Sequence, residues 1–466
     1  MFGALGVAGL AGLAGSITPP VMAQTMLQAQ VGPVESHVLD LKARFDLLEP
    51  TRRAWISTDW DAALRTAQEQ DRTPPPASTE TSILSVPSIP GSTGREPLFG
   101  LVIGVKDNID VDGFVTTAGS KSLQVNRPKT DATVVSRLRG RGVIIAGKTN
   151  LDTFARGVRS VSEVRGQTAN AWDDDRAAGG SSGGSAVVVA GGMVDAALGT
   201  DTCGSLRYPA TYNGIYSLRP TWGLLSRHGI VPLSPSQDTV GPMARTPMIL
   251  RLMFRAMLGP DPLDPATKMT AALEEAKPRL KPYRIGILNG FGTFGRDANG
   301  RVKLGVLSNN DVELVSVSLP KGVSNASLIA SEGNASIASF RTWLAQEKDT
   351  TTSIAPWLSP SWKPVSFQWK ALKNQQRRNA ALITELLDLL RLDALAYPTT
   401  PFAAAALGAR QPSANCWLSA TSGLPALAIP GGFDDRGFPR VGIDLLGRNL
   451  SELTLLDIAE ANQIGP

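Results

Sequence analysis

Cysteine and histidine are both scarce in this 466-residue sequence, which contains only Cys203, Cys416, His37 and His228. Two cysteines exclude a framework of several disulfides, and nothing in the sequence alone supports the single bridge that they could form. A zinc site of the common Cys/His kinds would need nearly all four residues together, so we expect no metal. A Ser-His-Asp triad would need one of the two histidines, and both lie in segments typical of the protein surface.

An excess of one charge is also lacking. The 46 basic and 41 acidic residues leave a net charge of +5, and no long Lys/Arg run is present. This small excess gives no indication of nucleic-acid binding. A composition of 42% hydrophobic and 19% charged residues is typical of a globular protein. The Gly-Gly-Ser-Ser-Gly-Gly run at 179–184 lacks the Lys-Ser/Thr ending of a phosphate-binding loop, and we expect no cofactor.

The first 23 residues carry no charged side chain and are rich in glycine, alanine, leucine and valine. The small-residue pattern Val21-Met-Ala23 predicts a signal peptide cleaved before Gln24, and hence a secreted or periplasmic protein. The basic segment that normally opens a signal is missing, so a longer or Tat-type leader stays open, and without a signal the protein would be cytoplasmic. Prolines 19 and 20 interrupt an apolar run that is too short for a membrane span, so we expect no stable membrane insertion.

Hydrophobic periodicity predicts an α/β protein in which strands and helices alternate. A buried strand over 101–105 is followed by a helix over 133–141 and a strand over 142–146, which favours parallel pairing. Further strands are predicted at 217–219, 283–288, 312–319, 393–398 and 424–429, and helices at 246–258, 325–350, 366–391 and 451–463. Two amphipathic helices within 34–72, broken around Pro50, precede a surface loop over 73–96.

The stretch from Gly179 to Pro209 carries two serine clusters set among glycines. Glycine allows sharp turns and close approach to a ligand, so a serine there can present its hydroxyl beside several backbone N–H groups. These are the parts of acyl-transfer catalysis, a nucleophile and an oxyanion hole. Gly/Ser-rich segments are usually linkers, but the apolar run 186–198 predicts a short buried helix leading into a strand, which a linker lacks.

Together with Gly104-Val-Lys-Asp-Asn-Ile-Asp110, this stretch resembles the signature of the amidase signature family of serine hydrolases. The resemblance implies a Ser–Ser–Lys triad in which Ser205 is the nucleophile, Ser181 lies in a cis peptide linkage and Lys106 is the base. Ser181 and Ser205 are 24 residues apart, the usual spacing of the family. Because Lys106 follows an apolar strand, burial could lower its pKa enough to make it a neutral base.

The resemblance also implies the architecture: a single large domain with a mixed, mostly parallel central sheet covered by helices. After a leader at 1–23, the domain would occupy 24–466, with its signature core at about 97–266 and the rest of its core at 396–466. The intervening region of about 270–395 matches the family least well and would select the substrate. Tryptophans there either line an acyl pocket or, as we favour, pack helices; they are Trp343, Trp357, Trp362 and Trp369.

Residues around the nucleophile receive supporting roles from the resemblance. The backbone N–H groups of four successive residues would form the oxyanion hole: Thr202, Cys203, Gly204 and Ser205. Three further side chains would support the site, namely Ser182 as a hydrogen-bond donor or turn residue, and Asp201 and Arg207 as orienting groups. Cys203 replaces the glycine most common in the family, and no histidine is placed by the sequence to activate it as a rival nucleophile.

The leading prediction is an amide hydrolase that cleaves a small-molecule carboxylic amide to an acid and ammonia or an amine, through an acyl-enzyme on Ser205. One alternative is a subunit of an amidotransferase that works on charged transfer RNA, and the leader and the lack of a basic tail argue against it. A catalytically inactive binding protein on the same fold is another, against which the intact Lys106, Ser181 and Ser205 argue. A homodimer stays open, and the sequence leaves the substrate unspecified.

Overall fold

The structure, a computed structural model, describes residues 31–73, 98–269, 281–292, 311–324, 369–413 and 415–462, together with Leu273 and Leu307. The predicted leader at 1–23, nearly all of the loop at 73–96 and the helix at 325–350 lie outside these residues. So do Trp343, Trp357 and Trp362 and the side chain of Trp369. None of the helices in the described segments is long and apolar enough to cross a membrane.

The described chain contains both helices and strands interspersed along its length, which agrees with the predicted α/β class. The helices are α1 (Pro33–Arg52), α2 (Trp60–Arg72), α3 (Thr133–Arg139), α4 (Gly183–Ala190), α5 (Arg207–Asn213), α6 (Pro247–Met257), α7 (Trp369–Leu389), α8 (Trp417–Ser422) and α9 (Glu452–Ala461). The strands are β1 (Trp55–Thr58), β2 (Val102–Lys106), β3 (Ile144–Thr149), β4 (Val161–Ser162), β5 (Gly166–Gln167), β6 (Ala196–Asp201), β7 (Tyr216–Arg219), β8 (Thr239–Ala244), β9 (Tyr283–Leu288), β10 (Val312–Val317), β11 (Ala394–Pro398), β12 (Ala426–Ile429) and β13 (Ile443–Leu446).

One mixed sheet organises the fold. In the described residues its eleven strands lie in the order β1-β3-β2-β6-β8-β7-β12-β13-β11-β9-β10. β2 pairs in parallel with β3 and β6, and β9 pairs in parallel with β10 and β11. Antiparallel pairs through β8, β7, β12 and β13 join these two parallel groups. The predicted α/β domain with a mixed sheet covered by helices is confirmed.

The N-terminal helices show one difference from the prediction. Pro50 lies inside α1 instead of ending it, and the helix continues to Arg52. Proline lacks one backbone N–H, but only two helical residues follow it, so little of the hydrogen-bond ladder is lost. Arg53 then adopts a left-handed conformation, and the Glu49 carboxylate accepts the N–H groups of Ala54 and Trp55. These contacts turn the chain into the short strand β1, which the periodicity did not predict.

The signature stretch lies in the middle of the core. The predicted short helix and strand are present as α4 and β6, and nearly every residue of both is buried. The helix begins at Gly183, three residues before the predicted start. A Cβ on Gly184 would lie 2.4 Å from the backbone of Ala54 and Asn150, so only glycine allows this packing. This packing holds α4 against the sheet, with Ser181 and Ser182 just before the helix and Ser205 just after β6.

Candidate active site

Lys106 is the last residue of the fully buried strand β2, and its own side chain is fully buried. Its Nζ lies 2.7 Å from Ser181 Oγ and 2.8 Å from Thr200 Oγ1, with the carbonyl oxygen of Thr200 at 3.4 Å. Parallel pairing of β2 with β6 places the end of one strand beside the end of the other, which brings Lys106 to Thr200. The fold therefore joins two of the three predicted triad side chains directly.

Burial lowers the pKa of Lys106 from 10.5 to about 7, although the carboxylates of Asp152, Asp201 and Asp238 oppose this shift. Near neutral pH a substantial fraction of the side chain is therefore an uncharged amine. A neutral amine has two N–H groups and one lone pair. The two oxygens of Thr200 can accept both N–H groups, which leaves the lone pair for the hydroxyl of Ser181.

The peptide bond between Gly180 and Ser181 is cis, as the resemblance implied. A Cβ on Gly180 would lie 2.2 Å from a carboxylate oxygen of Asp152, so a larger residue does not fit. Asp152 accepts the backbone N–H groups of Arg159 and Ser160 at 3.0 and 2.8 Å, and its own N–H donates to the carbonyl of Ser181. The loop that follows β3 thus holds the Ser181 backbone in place.

Ser205 lies between β6 and α5, and the residue is 6% exposed. Its carbonyl accepts the backbone N–H of Ser182 at 3.1 Å. The hydroxyl of Ser182 donates to the carbonyl of Thr200 at 3.1 Å and accepts the N–H of the same residue at 3.3 Å. Ser182 therefore links the loop that carries Ser181 to the loop that carries Ser205, a structural role that the sequence left open.

The four predicted oxyanion donors are not equivalent in this structure. The N–H of Gly204 donates to Asp201 Oδ1 at 2.8 Å and is therefore already engaged. The N–H groups of Thr202, Cys203 and Ser205 have no acceptor within the part of the chain that the structure describes. Gly204 has φ +87°, a conformation that favours glycine and turns the backbone sharply here. Three N–H groups of this loop are thus available to a ligand.

A fully buried cluster of charged side chains supports the loop that carries Ser205. Asp201 accepts Arg207 Nε at 3.0 Å and Arg219 Nη1 at 2.7 Å, and Arg207 also donates to Asp444. Burial alone would raise the pKa of Asp201, but the two guanidinium groups outweigh it and lower this pKa. Removing one partner of such a buried pair typically costs about 3–5 kcal/mol. Asp201 and Arg207 therefore lie where the orienting role predicted for them requires.

Cys203 and Cys416 form a disulfide bridge, with their Cα atoms 5.0 Å apart and a sequence separation of 213. The sequence offered no support for this bridge, because nothing local indicates that α8 and the Ser205 loop meet. The bridge ties that loop to the residue that precedes α8. A disulfide has no free thiol, so in this form the Cys203 side chain is not available as a nucleophile.

Two residues of the site were missed by the sequence analysis. Thr200 Oγ1 lies within hydrogen-bond distance of Lys106 and also accepts Asn108 Nδ2 at 3.2 Å. Asn108 lies in the same sequence motif as Lys106, and Thr200 lies in the same motif as Ser205. This proximity in sequence was the signal that could have indicated their place in the site. By contrast, Lys148, the other lysine at the end of a buried strand, forms a buried ion pair with Asp107 at 3.2 Å and has a structural role.

Neither histidine contacts the Lys106–Ser181 pair. His37 is half-buried and pairs with Asp195 at 2.9 Å, and His228 is exposed at the rim of a cavity. In the described residues, no group of three His, Cys, Asp or Glu side chains is placed to hold a metal ion.

That cavity borders the site and has a volume of about 230 Å³. Asn108, Thr200 and Thr202 contribute polar groups on the side of the catalytic loop. Most of the remaining wall is apolar and comes from the loop before β8; it includes Ile230, Val231, Pro232 and Leu233. A concave space with a largely apolar wall and a few convergent polar groups is typical of a small-molecule site.

Comparison with known proteins identifies the family. The family model described as Amidase matches residues 37–456, which is most of the chain. The chain belongs to the amidase signature family. Membership of this family supports amidase-type cleavage of a carbon–nitrogen bond. The contact between Lys106 and Ser181 is consistent with such chemistry.

Amidase relatives are found both in sequence and in structure. The chain is 34% identical over 462 residues to a glutamyl-tRNA(Gln) amidotransferase subunit of Chloroflexus aggregans, covering 90% of this chain and 91% of that protein. It resembles the structure of peptide amidase from Stenotrophomonas maltophilia with a TM-score of 0.72 and 28% identity, covering 97% of both chains. It also resembles the structure of the corresponding amidotransferase subunit from Thermotoga maritima with a TM-score of 0.68 and 26% identity, covering 92% of this chain and 91% of that one.

Proposed function

We propose that this protein hydrolyses a carboxylic amide to the acid and ammonia or an amine, through an acyl-enzyme on Ser205. The observation that carries the proposal is the 2.7 Å approach of Lys106 Nζ to Ser181 Oγ. It supports the proposal because Lys106 is fully buried and has a pKa of about 7, so it can act as a base near neutral pH.

Proton transfer proceeds through both serines. Neutral Lys106 takes the proton of Ser181, and Ser181 takes the proton of Ser205 as Ser205 Oγ attacks the amide carbonyl. The tetrahedral intermediate then collapses, and Ser181 gives a proton to the leaving nitrogen as the C–N bond breaks. A water molecule, deprotonated by the same route, attacks the acyl ester and releases the acid and Ser205.

The negative charge of the tetrahedral intermediate falls on the former carbonyl oxygen. The unengaged N–H groups of Thr202, Cys203 and Ser205 are the donors we assign to it. Removing one such donor typically costs about 3–4 kcal/mol of the barrier. Asp201 keeps these donors in place through its bonds to Gly204 and the two arginines, without touching the substrate.

An amidotransferase-type subunit is the second candidate, and the 34% identity to the Chloroflexus aggregans protein favours it. The two functions differ in what they require. A hydrolase of free amides should turn over a small amide when purified alone, whereas an amidotransferase-type subunit should need a further subunit or charged transfer RNA. A catalytically inactive binding protein would have no need for the contact between Lys106 and Ser181 or for Ser205, so these residues argue against that alternative.

The test is a panel of aryl, alkyl and peptide amides incubated with the purified chain, with release of ammonia or amine measured. Ser205→Ala should abolish release while leaving the unfolding transition unchanged, and Ser36→Ala at an exposed helix position is the matched control. Full turnover by a folded Ser205→Ala protein would remove Ser205 as the nucleophile. No turnover by the purified chain, with turnover restored by added subunits, would favour the amidotransferase.

Fluorophosphonate labelling separates the two residues of the loop that could attack a carbonyl. The probe should label Ser205 in the wild-type protein and in a Cys203→Gly/Cys416→Ala double variant, and labelling should be lost in Ser205→Ala. Loss of labelling in the double variant with retention in Ser205→Ala would reverse the assignment.

We also propose that residues 1–23 act as an export signal, because they form an uncharged apolar stretch ending in Val21-Met-Ala23. Protein made in an exporting host should begin near Gln24 by mass spectrometry. A cytoplasmic product that retains Met1 would contradict the export proposal and leave the hydrolase proposal intact.

A further inference from the structure

A groove lies next to the cavity that borders the catalytic loop. The cavity and the groove share Arg227, Pro235 and Asp264 in their walls, so they adjoin each other. The far part of the groove is lined by Trp222 and Lys373, the latter on α7. Only these shared residues separate the cavity from Trp222 and Lys373.

Trp222 forms a fixed aromatic surface in this groove. Its indole Nε1 donates to the carbonyl of Pro235 at 3.2 Å, and its backbone N–H donates to the carbonyl of Gly423. Two cations contact its ring: Arg227 Cζ lies 5.1 Å and Lys373 Nζ lies 4.4 Å from the ring centroid. These distances are those of cation–π contacts.

The two cations differ in how their charge is compensated. Arg227 forms a two-pronged pair with Asp264, with Nε at 3.0 Å from Oδ2 and Nη2 at 3.1 Å from Oδ1. Both oxygens of Asp264 are thus engaged by Arg227. Among the residues that the structure describes, the charged groups that act on the pKa of Lys373 are Arg227 and Arg377, and no carboxylate is among them. The groove therefore carries a positive charge that its own described acidic groups do not balance.

The electrostatics agree with this difference. Partial burial lowers the pKa of Lys373, and the positive charges of Arg227 and Arg377 lower it further. An anion that bound beside Lys373 would be attracted by Lys373 and Arg377, whereas Asp264 already compensates the charge of Arg227. The Lys373 ammonium has three N–H groups, so it can donate to a carboxylate while it stays in contact with the Trp222 ring.

We propose that this groove binds a carboxylate of the substrate, with Lys373 as its donor and Trp222 as the surface that holds Lys373. The inference rests on the proposed amide hydrolase function and narrows its substrate class. The preferred substrates are amides that carry a free carboxylate at the end remote from the scissile bond. An apolar segment that lies along the cavity would connect the amide to this carboxylate.

The test uses two matched series of linear amides that differ only at the remote end, monoamides of dicarboxylic acids and their methyl esters, with chains of increasing length. At the best chain length, the wild-type kcat/KM should be about tenfold higher for the carboxylate, as for a hydrogen bond to a charged group. Lys373→Met should bring the ratio of kcat/KM between the carboxylate and the ester close to one, mainly by raising KM of the carboxylate. Lys373→Arg should retain part of the preference.

Two further measurements keep the outcomes distinct. Lys121→Met, which removes an exposed lysine outside the groove, should keep the carboxylate preference. Calorimetry on Ser205→Ala with the same monoamides should show tighter binding than with the esters, and Lys373→Met in that background should abolish the difference. Equal binding and turnover of both series in the wild-type protein would overturn the inference. Lys373-dependent binding without turnover would keep it and contradict the hydrolase function.

Discussion

Replacing Lys106 by methionine should make the free energy of unfolding depend less on pH. Burial lowers the pKa of Lys106 from 10.5 to about 7, so between these values the folded protein binds fewer protons than the unfolded chain. The cost of burying this lysine is fully present below pH 7 and disappears as the pH rises towards 10.5. At about 1.4 kcal/mol per pKa unit, the full cost is about 5 kcal/mol.

The assay is urea unfolding of the wild-type protein and of Lys106→Met at pH 7.5, 8.5 and 9.5. Methionine is an unbranched apolar residue of similar length, and it also loses the contacts with Ser181 and Thr200. That loss is common to all three pH values, so the informative quantity is the change in the difference between the two proteins. The difference should shift by about 1.4 kcal/mol per pH unit, with methionine favoured most at pH 7.5.

The matched control is Lys121→Met, which removes a lysine from an exposed position. A difference between wild type and Lys106→Met that stays constant from pH 7.5 to 9.5 would refute the reasoning. It would mean that Lys106 keeps its proton in the folded protein at these pH values, and that the base must be found elsewhere.

The remaining predictions concern the pH profile, the disulfide and the N-terminal helix. The kcat/KM for amide hydrolysis should rise with pH through about 7 as Lys106 loses its proton, and full activity at pH 5.5 would contradict this. A Cys203→Ala/Cys416→Ala variant should be about 3–5 kcal/mol less stable towards denaturant, because the bridge closes a loop of more than 200 residues. An unchanged midpoint of the unfolding transition would mean that the bridge is not formed in solution. His37→Ala should lower the free energy of unfolding by about 1 kcal/mol at pH 5.5 and by less at pH 8.5. The hydrogen bond to Asp195 raises the His37 pKa, so the stability that the charged pair contributes is lost as the pH rises through this pKa. An equal cost at both pH values would contradict a charged pair.

Much of the fold could be predicted from the sequence where the determinants are local. The strand predicted over 283–288 is observed with the same bounds, because six residues of strand-forming, mostly apolar character need no distant partner to be recognised. The helix at 366–391 and the strand at 393–398 are found within three residues of their predicted bounds. Strand β8 was missed, since Gly241 and Pro242 at its centre disfavour a strand. Gly241 is needed there because a Cβ would lie 2.0 Å from the carbonyl of Leu218 on β7.

Local sequence patterns also identify the residues that could carry the chemistry. The glycines around Ser181 and Ser205 indicate sharp turns, and the apolar strand before Lys106 predicts a buried lysine. These are properties of a few successive residues, so they can be read without knowledge of the fold. The resemblance to a family added the roles, and the family is confirmed by the match over residues 37–456.

How these parts meet depends on the packing of segments that are distant in the sequence. Lys106 reaches Ser181 and Thr200 because β2 lies beside β6 in the sheet. The order of the strands cannot be predicted from any local sequence pattern. The bridge between Cys203 and Cys416 spans 213 residues for the same reason. Burial, which lowers the Lys106 pKa, is likewise a property of the packed molecule, since it depends on every element that excludes water from that side chain.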